Sequence, residues 1–393
     1  MIPYGRQDIT QDDCAAVLEA LTSDYITQGP AIERFEKAVT DYTGAPYAIA
    51  ASSATSALHM ACRALDLKAG DRLWTSPNSF VASANVALYC GANVDFIDID
   101  PKSYNICLDT LEDRLEVAER DGKVPTIVIP VHFAGQSCDM QRLAQLGQRF
   151  GFRIIEDASH AIGGRYKDKP VGACEYSDIC IFSFHPVKII TSAEGGMVTT
   201  KDPELARRMA LLRSHGITRD ADFMIGEPHG PWYYQQVELG YNYRMTDLQA
   251  ALGASQMTRL DDYVAARHAR RAVYDDQLAG LPITLPVQPS FQRSALHLYP
   301  VLVADGAPLD RKEVFLRLRA LGIGVNVLYI PIYLQPYYAT LGFKKGHCPN
   351  AEDYYARTIA IPMYATLQPG DQDKVVAAFH NVFGDPGKVA RSS

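Results

Sequence analysis

Short apolar runs alternate with amphipathic stretches over the first two thirds of this 393-residue chain, and this alternation constrains the fold more than any other feature. The runs fall at residues 47–51, 72–75, 94–97, 126–130, 153–155, 178–183 and 196–200, with helical patterns such as 54–65 and 143–150 separating several of them. The pattern predicts an α/β fold, with a mostly parallel sheet covered by helices on both faces. Ligands of such sheets gather at the carboxyl ends of the strands, so residues at those ends are the first candidates for chemistry.

Around residues 246–275 the pattern becomes one long helix-like stretch rich in Ala, Arg, Asp and Leu, after which a new set of elements begins. We expect a large domain over residues 1–260, opening with an N-terminal arm (1–30), and a small C-terminal α/β domain over 261–383. The small domain reads as a strand at 297–303, a helix at 311–321, a strand at 325–329 and a helix at 371–382. Residues 384–393 lack apolar periodicity and read as a frayed tail.

Lys plus Arg total 38 against 45 for Asp plus Glu, a net charge of -7 that argues against nucleic acid as a partner. The eight cysteines are scattered and form no Cys-x-x-Cys pair, as expected of reduced thiols in a cytoplasmic protein. The N-terminus carries charge where a signal peptide needs an apolar core. The longest charge-free run, 73–94, is too polar to span a membrane, so no membrane association is expected. No Gly-x-Gly-x-x-Gly follows an expected strand, no P-loop motif is present, and the ten histidines show no zinc-like spacing, so no metal is expected.

The strongest local signal is Ser183-Phe-His-Pro-Val-Lys188, where an apolar strand ends, followed by Ala193-Glu-Gly-Gly196. Lys188 lies beside Val187, Ile189 and Ile190. A lysine desolvated by such neighbours favours its neutral amine and can attack a carbonyl, although an isolated lysine of this kind more often packs its stem and extends its head to water. A second strand end, Glu156-Asp157-Ala-Ser-His160, supplies a carboxylate and an imidazole. If the two strands are neighbours, Asp157 and Lys188 approach one ligand, and a carboxylate held against a pyridine nitrogen keeps that ring protonated and electron-withdrawing. Taken alone, Glu156-Asp157 reads as a helix cap and His160 as a structural histidine. The segment Ser52-Ser-Ala54-Thr55-Ser-Ala-Leu-His59 joins a strand to a helix through small hydroxylated residues, which suits either a phosphate or an ordinary N-cap. Phe80 suits either a heteroaromatic ring or the core.

Taken in order, these segments together with Arg213-Ser-His-Gly216 and Gly240-Tyr-Asn242-Tyr-Arg244 resemble the pyridoxal-phosphate aminotransferases of the aspartate-aminotransferase fold, and within them the DegT-type sugar aminotransferases. The similarity runs from about Tyr4 to about Phe383. It is strongest to the branch serving pseudaminic acid biosynthesis, which moves an amino group from glutamate, releasing 2-oxoglutarate, to the 4-keto carbon of a UDP-linked 2-acetamido-2,6-dideoxy hexose. The resemblance implies that Lys188 attaches pyridoxal 5'-phosphate covalently and that Asp157 pairs with its ring nitrogen. It places His160 near the ring hydroxyl, Phe80 on the ring face, and Ala54, Thr55 and Ser183 on the phosphate. It implies a homodimer with shared active sites, in which Asn242 reaches the partner's cofactor phosphate, and it makes Tyr4, Tyr25, Ile26, Thr27, Arg244 and Tyr329 contacts of the nucleotide sugar. Leu328 and Ile330 stand where some relatives carry His and Lys, which leaves open another nucleotide-linked keto-deoxy sugar as acceptor. Sugar dehydration on this fold goes with His in place of Lys188. A noncatalytic sugar-nucleotide sensor and a cofactor-free α/β binding protein are the remaining alternatives.

Overall fold

The computed structural model describes residues 1–384, so the expected tail falls, from residue 385 on, outside the described residues. Seven strands form the central sheet: β1 (Tyr47–Ala51), β2 (Arg72–Thr75), β3 (Asn93–Phe96), β4 (Ile127–Ile129), β5 (Arg153–Asp157), β6 (Ile179–Ser183) and β7 (Gly196–Thr200). Their spatial order is β1-β7-β6-β5-β4-β2-β3. All neighbouring pairs are parallel except those made by β7, which runs antiparallel to both β1 and β6. The expected mostly parallel sheet is therefore present, with one reversed strand.

The helices are α1 (Gln11–Thr22), α2 (Pro30–Thr43), α3 (Ala54–Ala64), α4 (Ala82–Tyr89), α5 (Leu108–Arg120), α6 (Met140–Phe150), α7 (Pro203–Arg213), α8 (Asp247–Met257) and α9 (Leu260–Gln277). Because side chains alternate along a strand, each strand feeds two layers. Leu73, Ile127, Ile155 and Ile181 pack with Leu58 and Met60 of α3 and Met209 of α7. Trp74, Val128 and Ile154 pack with Leu111 of α5 and Leu143 of α6 on the other side. Both faces are thus buried, which is why these strands read as continuous apolar runs.

The expected helix over 246–275 is two helices. Thr258 and Arg259 break it: the Thr258 hydroxyl donates to the Ser255 carbonyl at 2.7 Å, and the Arg259 guanidinium turns to the buried Asp13 carboxylate at 2.7 Å. Within the expected N-terminal arm, α1 forms a full helix with a capping box from Thr10 and Asp13, and Ile2 runs parallel to Ile323.

Toward the C-terminus, β8 (Ile283–Thr284), β9 (Tyr299–Val303) and β10 (Thr358–Ile361) make a separate antiparallel sheet with β9 in the centre. Helices Arg311–Ala320 and Pro369–Phe383 pack with it through Val314, Leu318, Val375 and Phe379. The expected strand at 325–329 does not form. Its backbone donors are taken by side chains instead: Val327 N–H by Asn326 Oδ1 at 2.8 Å and Tyr329 N–H by Asn78 Oδ1 at 3.4 Å, leaving only a single bridge from Asn326 to Ala360.

Candidate active site

A cavity of about 740 Å³ opens at the carboxyl ends of the central strands, and its lining includes Lys188, Asp157, His160, Phe80, Ala54, Thr55, Ser183, Tyr4 and Tyr329. These residues come from segments far apart in sequence. They meet because β5 and β6 are parallel neighbours, with Asp157 opposite Ile181, so the strand end at Asp157 and the loop leaving Ser183 face one space.

Asp157 is buried at 4 % exposure and its backbone is fixed on both sides, donating to the Pro130 carbonyl at 2.9 Å and accepting from His132 N–H at 3.0 Å. Its Oδ1 accepts from Ser159 N–H at 3.1 Å and its Oδ2 from the Ser83 hydroxyl at 2.6 Å. Glu156 points to the opposite side of the strand, where it pairs with the buried His132 at 2.7 Å and with Ser177. Neither carboxylate is the helix cap that the dipeptide alone suggested.

Lys188 is half-buried in the loop after β6, between buried Ile189 and the preceding Val187. Loss of water from the amine pushes its pKa down to about 8, with the Asp157 carboxylate acting in the opposite direction. At neutral pH an appreciable fraction of the side chain is therefore an uncharged nucleophile. His160 is buried, and desolvation together with the nearby Lys188 keeps its pKa well below the usual value, so its ring is neutral. Its Nε2 lies 3.2 Å from the Tyr329 hydroxyl, its ring centroid 4.4 Å from that of His297, and its Nδ1 is buried without a partner among the described residues. Phe80 is 60 % exposed and stands on the cavity wall rather than in the core.

At the start of α3, the Ser53 side chain accepts from Ser56 N–H at 3.1 Å and closes a capping box. That cap satisfies the third residue of the helix and leaves the first two N–H groups without an intrahelical partner, on Ala54 and Thr55, both of which line the cavity. A helix start of this kind favours an anion. β7 passes so close that a Cβ on Gly196 would lie 2.4 Å from the Ser53 carbonyl oxygen and 2.6 Å from Ala54 N, so only glycine permits this cradle. The donor set fits pyridoxal phosphate: an amine for its aldehyde, a carboxylate for its ring nitrogen, a neutral imidazole with an unpartnered nitrogen, an aromatic face, and free amides for the phosphate.

Five expected residues lie elsewhere. Tyr25 and Ile26 are more than half exposed on the α1–α2 connection, Thr27 bridges to Thr246, and Asn242 bridges to Ser214. Arg244 borders a separate surface pocket with Glu33, Glu36 and Arg213. None of them is among the residues lining the cavity: the segment of Asn242 pairs with the end of α7, where Tyr243 N–H donates to the Arg213 carbonyl, and with Ser52, whose N–H donates to the Tyr243 carbonyl, while Ile26 and Thr27 pair with the residues that open α8. Ile330 is also outside the cavity, whereas Leu328 lines it. The lining also includes Ser83, Ser159, His185 and Glu194, which the sequence reading did not single out. His185 and Glu194 flank motif residues and were within reach of that reading, but nothing local marks Ser83.

The fold and this donor set define a pyridoxal-phosphate-dependent aminotransferase of the aspartate-aminotransferase fold. The chain belongs to the DegT/DnrJ/EryC1/StrS aminotransferase family, whose model matches residues 7–380. It is 37% identical over 373 residues, 94% of each chain, to the UDP-4-amino-4,6-dideoxy-N-acetyl-beta-L-altrosamine transaminase of Campylobacter jejuni serotype O:23/36. It is 36% identical over 385 residues, 97% of each chain, to the spore coat polysaccharide biosynthesis protein SpsC of Bacillus subtilis. Among solved structures, the PMP form of the putative sugar aminotransferase Spr1654 from Streptococcus pneumoniae superposes with a TM-score of 0.88 at 30% identity, covering 98% of this chain and 99% of that one. Among the described residues, no helix is long and apolar enough to cross a membrane.

Proposed function

We propose that this aminotransferase moves the amino group of glutamate to the 4-keto carbon of a UDP-linked 2-acetamido-2,6-dideoxy hexose. The observation that carries the chemical part of this reading is the amine of Lys188, held near pKa 8 in the same cavity as the buried Asp157 carboxylate. The acceptor is supported by likeness to the Campylobacter transaminase over nearly the whole chain.

Bound pyridoxal phosphate supplies an electrophilic carbonyl and an electron-withdrawing ring. Lys188 Nζ would hold the cofactor through its carbonyl and, when free, would serve as the base and acid that moves the proton at the reacting carbon. Asp157 holds the proton on the ring nitrogen. The Ala54 and Thr55 amides, the Thr55 hydroxyl and Ser183 would hold the phosphate and Phe80 would cover the ring, while His160, with its Nε2 3.2 Å from the Tyr329 hydroxyl, would stand beside it. Tyr4, also on the cavity lining, would contact the nucleotide sugar.

Tyr25, Ile26, Thr27, Asn242 and Arg244 complete this reading through a homodimer, each set serving the partner's cavity. Their absence from the lining of their own cavity supports that arrangement, as do the exposed apolar side chains in the segment leading to Asn242, Trp232 and Leu239 among them.

A second acceptor reading is favoured by Leu328. It gives the cavity wall an apolar side chain where the family resemblance implies His, which suits another nucleotide-linked keto-deoxy sugar. The experiment is transfer of ¹⁵N from labelled glutamate, read by NMR of the sugar product. Label at C4 of the UDP-linked acetamido hexose supports the first reading. Label appearing only with a different keto sugar supports the second, and no transfer to any keto sugar contradicts both.

A further inference from the structure

The first turn of α4 faces the cavity beside Phe80 and carries a hydroxyl that belongs to no role described so far. Ser83 is buried at 1 % exposure, and its Oγ lies 2.6 Å from Asp157 Oδ2. A carboxylate can only accept, so the Ser83 proton points at Asp157, at a length typical of a hydroxyl bound to an ionised acceptor. The Phe80 carbonyl, at 3.4 Å, is the poorer alternative acceptor. Ser79, also buried and lining the cavity, has its Oγ 2.8 Å from Ser83 Oγ. Because Ser83 has committed its proton to the carboxylate, Ser79 must be the donor in that contact. The two hydroxyls form a chain with both protons directed toward Asp157, and each polarises the next.

We propose that Ser83, backed by Ser79, is the positioning residue that sets the orientation of the Asp157 carboxylate toward the ring nitrogen of the cofactor. This rests on the reading of Asp157 given above. With Oδ2 tied to Ser83 and Oδ1 to Ser159 N–H, the carboxyl group cannot rotate, and its remaining lone pairs are fixed in direction. Phe80, two residues ahead of α4, and Ser83, in its first turn, therefore reach the cavity together.

The test measures binding of two probes to the cofactor-free protein: pyridoxal phosphate and its 1-deaza analogue, in which carbon replaces the ring nitrogen. A brace acting through Asp157 matters only when that nitrogen is present. Ser83→Ala should weaken pyridoxal phosphate about tenfold and leave the deaza analogue unchanged, the loss expected for one hydrogen bond to a charged group. Ser79→Ala, which leaves the contact to Asp157 intact, should show the same selectivity at a few-fold, and it serves if Ser83→Ala does not fold. Asp157→Asn is the control for the underlying reading. If it discriminates between the probes while Ser83→Ala and Ser79→Ala weaken both equally or neither, the brace is overturned. If Asp157→Asn does not discriminate either, the reading of Asp157 is itself wrong and the brace falls with it.

Discussion

Lys188 and Asp157 face one cavity from neighbouring parallel strands, the first on the loop leaving β6 and the second at the last position of β5. Their separation in environment matters as much as their proximity. Asp157 is ringed by donors, whereas desolvation weakens the hold of Lys188 on its proton.

Capture of pyridoxal phosphate by the cofactor-free protein should therefore follow the neutral fraction of Lys188. Stopped-flow absorbance should show a rate that climbs with pH through about 8 and then levels off, where an ordinary lysine would keep gaining toward 10.5. Linkage gives a second consequence. The folded state loses this proton at about 8 and the unfolded chain near 10.5, so the buried ammonium costs stability below about pH 8, and that cost fades as pH rises between the two values. Lys188→Met should raise the melting temperature of the cofactor-free protein at neutral pH, and the gain should shrink in alkaline buffer.

Gly196→Ala places a methyl group where the Ser53 carbonyl and Ala54 amide already stand. The start of α3 must shift, and the phosphate cradle with it. We expect cofactor affinity to fall by roughly a hundredfold, since several charge-assisted hydrogen bonds depend on that geometry. Fluorescence titration measures it, and circular dichroism checks that the sheet persists.

The shared-site reading predicts complementation. Lys188→Ala and Asn242→Ala homodimers should each be inactive or nearly so. Subunit exchange between them makes one intact cavity per mixed dimer, restoring up to about a quarter of the wild-type rate. If mixing restores nothing, Asn242 does not serve the partner.

Arg267 is buried at 2 % exposure with no carboxylate partner among the described residues. It donates instead to the carbonyls of Leu296, His297 and Met363, and burial lowers its pKa to about 10. Arg267→Met should destabilise the protein by about 2–4 kcal/mol in urea unfolding, because three buried carbonyls lose their donor.

The sheet was legible because strands buried on both faces leave unbroken apolar runs, and Lys188, Asp157 and the start of α3 were legible because strand ends and helix starts carry local signatures. Ser83 was not, since its partner lies in β5 and its own neighbours spell an ordinary helix. The segment 325–329 misled for a related reason: Val and Leu suit a strand, but Asn326 and Asn78 intercept its amides, and side-chain capture of that kind is invisible in a pattern of hydropathy. At the break after Thr258, Arg259 leaves the helical backbone region and its guanidinium meets Asp13 from the other end of the chain, a pairing that no local pattern announces. That Tyr25, Ile26, Thr27, Asn242 and Arg244 lie off the cavity of their own chain was not legible, because their local sequence carries no signal of which surface they meet.

The most direct test of the central claim is the visible absorption of the holoprotein, recorded first alone, then with glutamate, then with the 4-keto UDP-acetamido hexose. The account predicts a band that glutamate bleaches and the keto sugar restores, with Lys188→Ala showing no catalytic cycle. A band that glutamate leaves untouched, or a Lys188→Ala protein that cycles at near-normal rates, would contradict it.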